Sequence, residues 1–434
     1  MVHLGHGGYS ACHKCTVYGF YDNDDGIWRM NYAELEEKPD SNGTGSAAVP
    51  RTNESYRNRI DKEHHCPKKH FNKKKRTWKE HQLERLPIDM TDCFTIDMMH
   101  CFCRGVMVRF FSFLNGRKTT MVTKTIQLDE WKNMGEAWEK MKFPVEFNRR
   151  TQPFKKWDTF KCTELRMFGL YAMDILMKEF CSNRVLVEAI HALVLGMRII
   201  CDPKLYKTDW RLAKLFFDIF LSNCVKVFGD HFITLAIHQL RHLPEETVRL
   251  QATADDLSCF KFENTLGKIK KSVKSKSHPL INISRFLSSQ NTFKSRAGKF
   301  SRTRVFPSVT RKLAGFDTRF STIEFPNFKL TTLREADSYF TARGSVRKLS
   351  YIEIQVDSLE VHIHSVAFKG VRAAYQVQDG KQKTFQSVQA RVVALSRPEQ
   401  IPTIVYPAEV FQKYACHLLS GVLYGYPLLH SVND

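Results

Sequence analysis

The spacing of apolar residues predicts a series of helices through the middle of the chain. Between residues 163 and 180, apolar side chains recur at intervals of three and four, which is the repeat of an amphipathic helix. Residues 184–200 are apolar on nearly every face, which indicates a central, buried helix. Two further helices are predicted, one over 210–228 between the N-cap Asp209 and Gly229, and one over 231–243 that ends before Pro244.

The pattern changes to that of strands beyond residue 327. Residues 351–356 and 361–364 alternate apolar and polar side chains with a period of two. Asp379 and Gly380 form a turn signal within residues 376–383, which predicts a hairpin. The last part of the chain is therefore expected to be a small β-rich domain.

Shifts in composition divide the chain into four segments. Residues 1–80 hold a stretch rich in Gly, Cys and His, followed by a basic linker, and residues 81–284 are mainly helical. Residues 285–327 are rich in Ser, Arg, Lys and Phe with weak periodicity, which is typical of a connector. Residues 328–434 form the predicted β-rich domain.

The chain carries a large positive charge. Lys and Arg number 66 against 45 Asp and Glu, which gives a net charge of +21. A surplus of that size favours a polyanionic partner, and we expect DNA. A basic scaffold remains open on composition alone. A membrane is not expected, because polar and charged side chains interrupt the richest apolar stretch, residues 185–200.

Cysteine and histidine spacing near the N-terminus indicates a structural zinc site. Cys12 and Cys15 form a C-x-x-C pair, which can hold one Zn²⁺ in a tight turn if two further ligands are supplied. The next cluster downstream contains His64 and His65, so these four residues are the predicted ligands. The alternatives are a chance C-x-x-C, or a second pair drawn from His6, Cys66 and His70.

Two acidic motifs are candidates for chemistry on a phosphate backbone. Asp97 follows the strand-like residues 94–96 and precedes His100, while Glu263 opens a predicted amphipathic helix. Carboxylates hold Mg²⁺ and nearby lysines hold phosphates. The alternatives are an Asp97 that caps a helix and a Glu263 that favours a helix N-terminus. The candidate DNA-binding residues are Lys268, Lys270, Lys271 and Lys274 behind Glu263, and Lys73, Lys74, Lys75 and Arg76 in the basic linker.

Several motifs recur in an order that suggests a family. In chain order they are Gly5–Tyr9 with Cys12 and Cys15, Arg51–Arg57, Glu63–His65, Asp97–His100, Trp157, Thr163–Arg166, His238–Leu243, Phe260–Asn264 and Tyr424–His430. Together they resemble the CACTA-like DDE transposases, in particular the animal transposase-domain proteins. The resemblance implies an α/β fold: a partial RNase H-like core in residues 81–284, interrupted by a large helical insertion, and the β-rich C-terminal domain.

The resemblance also implies roles for the acidic residues. Glu263 corresponds to the last of three acids that would hold two Mg²⁺ ions for strand cleavage and transfer. Asp97 and His100 correspond to a motif that supports this site. The family's first two aspartates lie upstream of Gly5–Tyr9, where this chain begins, so we expect an N-terminally truncated relative that has lost transposition activity.

These observations predict a transposase-derived, DNA-binding protein that contains zinc. Twelve cysteines without a disulfide-like spacing indicate a reducing compartment, and the nucleus is expected. Two alternatives stay open: an active Mg²⁺-dependent transposase completed by upstream sequence, and a non-catalytic scaffold that binds protein or RNA. A homo-oligomer stays open as the assembly.

Overall fold

The structure is a computed structural model that describes residues 10–22, 29–31, 48–61, 64, 82–114, 126–273, 278–300, 306–379 and 383–432. These residues form two compact units. The first unit is drawn from Met1–Leu257, Lys369–Arg397 and Ala415–Leu429, and the second from Ser258–Phe368, Pro398–Tyr414 and His430–Asp434. Helices and antiparallel strands are both abundant, which confirms a mixed α/β protein.

Helices dominate the described part of the first unit. None of the described helices is both long and apolar enough to cross a membrane. The helices are α1 (Asn53–Arg57), a π-helix (Met99–Met107), α2 (Val108–Leu114), α3 (Leu128–Lys140), α4 (Cys162–Tyr171), α5 (Met173–Phe180), α6 (Arg184–Cys201), α7 (Leu205–Thr208), α8 (Trp210–Phe228), α9 (Leu235–His238), α10 (Leu243–Arg249), and, in the second unit, α11 (Phe260–Ser272) and α12 (Pro279–Phe300).

Helix α6 is the centre of the first unit, as its apolar pattern predicts. It is buried from Ala189 to Cys201 and packs along α8. Gly196 allows the close approach, because a Cβ atom there would lie 2.7 Å from the ring of Phe217. The buried Arg198 guanidinium donates to the carbonyls of Leu170 and Pro427 at 3.0 and 2.9 Å. These hydrogen bonds to backbone oxygens offset part of the cost of burying its charge.

The helix predictions succeed where strong local signals mark the ends. Helix α8 spans the predicted residues, and Gly229 ends it with a φ of +81°. The helix predicted over 163–180 forms as α4 and α5, with a break at Ala172. The helix predicted over 231–243 is wrong: this region forms separate short helices, and Pro244 lies in the first turn of α10. Proline is well tolerated there because a first-turn N–H has no partner within the helix.

Residues 94–96, predicted as a strand, form none. The Ile96 N–H donates to the Glu246 carboxylate at 2.6 Å, and the Phe94 carbonyl accepts from the His13 ring at 3.1 Å. Side chains therefore satisfy backbone groups that a neighbouring strand would otherwise pair.

Antiparallel strands form sheets in both units. The strand pairings whose register the structure describes are all antiparallel. They include no parallel pair of the kind found in an RNase H-like core, so the described strands do not confirm that core. The strands are β1 (Phe20–Asp22), β2 (Arg29–Asn31), β3 (Ser308–Lys312), β4 (Arg319–Glu324), β5 (Lys329–Thr331), β6 (Tyr339–Ala342), β7 (Ser345–Ile354), β8 (Val361–Ala367), β9 (Val371–Ala373), β10 (Gln376–Gln378), β11 (Thr384–Gln386), β12 (Val393–Leu395), β13 (Thr403–Val405), β14 (Val410–Leu419) and β15 (Val422–Val432).

The second unit is built on the predicted pair β7 and β8. These strands join β4, β6 and β13 in one sheet, whose inner side chains include Ile352 and Ile363. The predicted connector over 285–327 instead contains most of α12 and the strands β3 and β4. The apolar pattern of these residues is too weak to predict this helix and these strands from the sequence.

The predicted C-terminal domain is divided between the two units. The hairpin predicted near Asp379 is confirmed as β10 and β11, which belong to the first unit together with β9 and β12. Lys178 on α5 donates to the carbonyl of Ala374 at 2.6 Å, and Tyr375 donates to the Asp174 carboxylate at 2.7 Å. These contacts attach this stretch of strands to the helices.

Candidate metal centre

Four cysteine and histidine side chains of the first unit meet at one point. The Sγ atom of Cys15 lies 3.2 Å from Nε2 of His238, and the Sγ atom of Cys12 lies 3.6 Å from Nε2 of His242. The two Nε2 atoms are 3.3 Å apart. All four donor atoms lie within 4.8 Å of one another, so the group is able to hold one metal ion.

The two histidines converge because they lie on consecutive helical turns. His238 ends α9, and the 3₁₀-helix Gln239–His242 follows at once, with helical dihedral angles at the junction. A separation of four residues places both rings on one face. Their ring centroids are 5.2 Å apart in an edge-to-face arrangement.

Mutual hydrogen bonding favours thiolate character in the buried centre. Cys12, Cys15 and His238 are each exposed by 4% or less. Hydrogen bonding with the Cys15 thiol, and also with His238 and His242, holds the pKa of the Cys12 thiol well below its ordinary value, although burial opposes this. Thiolates are the form in which cysteines bind metals.

Arg51 fixes the loop that carries the cysteines. Its Nε donates to the carbonyl of Cys12 at 2.9 Å, and its guanidinium also donates to Ser10 Oγ and to the Asp61 carboxylate at 2.7 and 2.6 Å. The backbone N–H of Arg51 donates to the Lys14 carbonyl at 2.9 Å. The loop is thereby held by backbone and side-chain contacts on both sides of Cys12.

The two residues between the cysteines anchor the loop to the rest of the unit. His13 donates to the Phe94 carbonyl, and Lys14 donates to the Thr91 carbonyl at 2.8 Å. Lys14 also forms an ion pair with Glu246 of α10, and both side chains are nearly buried. This pair lies within a few residues of His242, so the same contacts order both halves of the centre.

The predicted ligand His64 lies outside this group. Its Nδ1 donates to the carbonyl of Ser10 at 2.6 Å, and its ring packs edge-to-face on Tyr56 with centroids 6.0 Å apart. The structure therefore pairs Cys12 and Cys15 with His238 and His242 in place of His64 and His65. His65 and its competitors His6, Cys66 and His70 lie outside the described residues.

Asp97 caps the helix that follows it. Its carboxylate accepts from the backbone N–H groups of Met99 and His100 at 3.0 and 3.3 Å, and it pairs with the His100 ring. The His100 side chain remains exposed. These contacts are those of the helix-capping interpretation of Asp97.

Glu263 and three of the candidate lysines lie on α11, in the second unit. Glu263 occupies the first turn of the helix, and Lys268, Lys270 and Lys271 follow it; all four side chains are exposed. The other candidates, Lys274, Lys73, Lys74, Lys75 and Arg76, lie outside the described residues.

The sequence also carries a signal for the histidine pair, which the predicted ligand set does not include. C-x-x-C followed by H-x-x-x-H is a known ligand spacing for zinc, and His238 and His242 fit its second half. Cys15 and His238 are 223 positions apart, whereas His64 and His65 lie much closer to the cysteines, so proximity in the sequence favours His64 and His65.

Comparison with protein-family models, curated proteins and solved structures finds no match to this chain. The resemblance to CACTA-like transposases consequently depends on the order of the motifs alone.

Proposed function

We propose that Cys12, Cys15, His238 and His242 hold a structural Zn²⁺ ion. Zinc bonds of about 2.3 Å to sulfur and about 2.0 Å to nitrogen, arranged as a tetrahedron, require N···N separations of about 3.3 Å and N···S separations of about 3.5 Å. The observed distances of 3.3, 3.2 and 3.6 Å lie close to these values. This agreement is the observation that carries the proposal.

Four protein ligands favour a structural ion over a catalytic one. A catalytic zinc keeps one position for water or substrate, whereas here all four tetrahedral positions have a protein donor. Because Cys12 and His242 are 230 residues apart, the ion would join the N-terminal loop to the helices of the first unit. Its binding free energy would then contribute to folding.

Cobalt substitution tests the ligand set directly. Tetrahedral Co²⁺ bound by two thiolates and two imidazoles gives intense visible absorption together with sulfur-to-metal charge-transfer bands. We expect both in the wild-type protein, and we expect Cys93→Ser, which removes an exposed cysteine, to preserve them. Weak visible absorption typical of octahedral Co²⁺ in the wild-type protein would contradict the proposal.

The biochemical role that we propose is electrostatic DNA binding by a transposase-derived nuclear protein. The net charge of +21 supports a polyanionic partner. The exposed Lys268, Lys270 and Lys271 on α11 provide a local basic surface in the second unit. The resemblance to CACTA-like transposases, which implies an RNase H-like core, supports DNA over other polyanions.

Strand transfer is not part of the proposed activity. A two-metal site needs several carboxylates around two ions. Among the described residues of its own unit, Glu263 joins no group of three or more potential ligands. We therefore expect no nicking of hairpin DNA in Mg²⁺. Nicking that disappears in Glu263→Ala would instead support the active-transposase alternative.

The salt dependence of binding tests the proposed role. For duplex DNA, each phosphate contact makes the slope of log affinity against log salt more negative by roughly 0.9. We expect a clearly negative slope for the full chain, measured by fluorescence anisotropy, and a shallower slope in a variant with Lys268→Gln, Lys270→Gln and Lys271→Gln. Absence of DNA binding at low salt would contradict the proposal.

A further inference from the structure

Helix α11 exposes an apolar stripe as well as its lysines. Phe262 is 60% exposed and Leu266 is 58% exposed, and none of the side chains of this helix is buried. Phe262, Leu266 and Ile269 are spaced by four and three residues, which places them on one face. Large apolar side chains that stay in water along one helical face indicate an interaction surface.

The net positive charge of this helix favours a polyanion. Helix α11 carries Lys261, Lys268, Lys270 and Lys271 against the single acid Glu263. Lys261 Nζ lies over the ring of Phe262, 5.7 Å from its centroid. A second copy of this chain would bring like charges together at this surface, which disfavours self-association through it.

An intact DNA duplex satisfies only half of this surface. Its phosphates would contact the lysines, but its stacked bases offer no apolar face to Phe262. An unpaired strand offers both groups, since its bases expose their ring faces and stack on aromatic side chains.

We propose that α11 binds unpaired DNA in preference to duplex DNA, with its lysines on phosphates and Phe262 stacked on a base. This inference depends on the proposed DNA binding and specifies the form of DNA recognised. Leu266, one helical turn along, extends the apolar contact to the neighbouring base or sugar.

Fluorescence anisotropy with the full chain tests the preference. The probes are a labelled single strand of roughly 20 nucleotides, longer than a typical single-strand site, and the matching duplex. We expect tighter binding to the single strand. Phe262→Ala should weaken that binding roughly tenfold and leave duplex binding unchanged, while Phe262→Trp should retain it. Phe316→Ala, which removes another exposed phenylalanine of the second unit, should change neither affinity.

Each other outcome overturns part of the account. Equal affinity for both probes, or an unchanged single-strand affinity in Phe262→Ala, would refute the stacking proposal and leave electrostatic DNA binding intact. An equal loss of both affinities in Phe262→Ala, with an unchanged circular dichroism spectrum, would refute the selectivity. Binding to vesicles of phosphatidylserine and phosphatidylcholine, without binding to either DNA probe, would refute both proposals and assign the surface to anionic lipid.

Discussion

The Sγ atom of Cys15 lies 3.2 Å from Nε2 of His238, although the two residues are 223 positions apart in the sequence. Cys12 and His242 form the matching pair at 3.6 Å. Both pairs connect a short loop near the start of the described chain to the helical turns around residue 240. A metal ion here would link two parts of the chain that are far apart in the sequence. The contacts of Arg51 and Lys14 fix the conformation of the cysteine loop.

Loss of one histidine ligand should remove the stabilisation that zinc provides. A ligand at about 1,000 times its dissociation constant stabilises the folded state by about 4 kcal/mol. We expect a zinc chelator to lower the thermal midpoint of the wild-type protein but not that of His238→Ala. His100→Ala, which removes an exposed histidine, should respond to chelator like the wild type. Equal chelator responses in all three proteins would contradict this expectation.

Arg51 should control metal affinity without touching the metal. Outer partners of metal ligands commonly change affinity by about 10- to 100-fold when removed. Because Arg51 donates to the Cys12 carbonyl, we expect Arg51→Lys to weaken zinc binding by roughly tenfold, measured by competition with a chelating dye. Arg57→Lys is a matched control, since the Arg57 guanidinium donates to the carbonyls of residues 84, 86 and 88. A comparable loss in both variants would indicate general destabilisation.

The pair Lys14–Glu246 should show a large coupling energy. The two side chains are 9% and 4% exposed, and Glu246 also accepts the Ile96 N–H. Removal of one partner of a buried pair costs about 3–5 kcal/mol, because the other charge remains buried. We expect Glu246→Gln to destabilise strongly in urea unfolding, and Lys14→Met in the Glu246→Gln background to add little. Additive losses would show that the two side chains act independently.

The stability of the first unit should fall in mild acid because of His417. Burial lowers the pKa of His417 from 6.5 to about 4, so the unfolded chain takes up this proton at a higher pH than the folded one. The contribution is complete above about pH 6.5 and declines by about 1.4 kcal/mol per unit down to about pH 4. Unfolding of His417→Leu should show a correspondingly smaller slope across this window. An unchanged slope would mean that His417 is protonated in the folded protein.

The sequence predicts the fold best where local signals decide the structure. Helix α8 lies between Asp209 and Gly229 as predicted, and Gly229 ends it with a positive φ. The Asp209 side chain makes no capping hydrogen bond to the helix and accepts from the Thr208 hydroxyl instead. Pro244 begins α10 where the sequence predicts the end of a helix, because proline fits the first turn of a helix as well as the position after its end. The strand expected at 94–96 fails for a non-local reason: its backbone is satisfied by Glu246, 150 residues away.

The candidate centre is predicted only in its first half. The C-x-x-C motif of Cys12 and Cys15 spans four residues and by itself indicates half of a zinc site. Which of the 17 histidines supply the other half depends on how the chain folds. His64 is nearer in sequence, but it is committed to the Ser10 carbonyl. The four-residue spacing of His238 and His242 was the signal that could have identified them.

The most direct test is the zinc content of the purified full chain, measured by inductively coupled plasma mass spectrometry. The account predicts about one zinc per chain in the wild type and in His64→Ala, and almost none in His242→Ala, as for a four-ligand structural site. A wild-type protein without zinc, or zinc lost from His64→Ala and retained in His242→Ala, would contradict it.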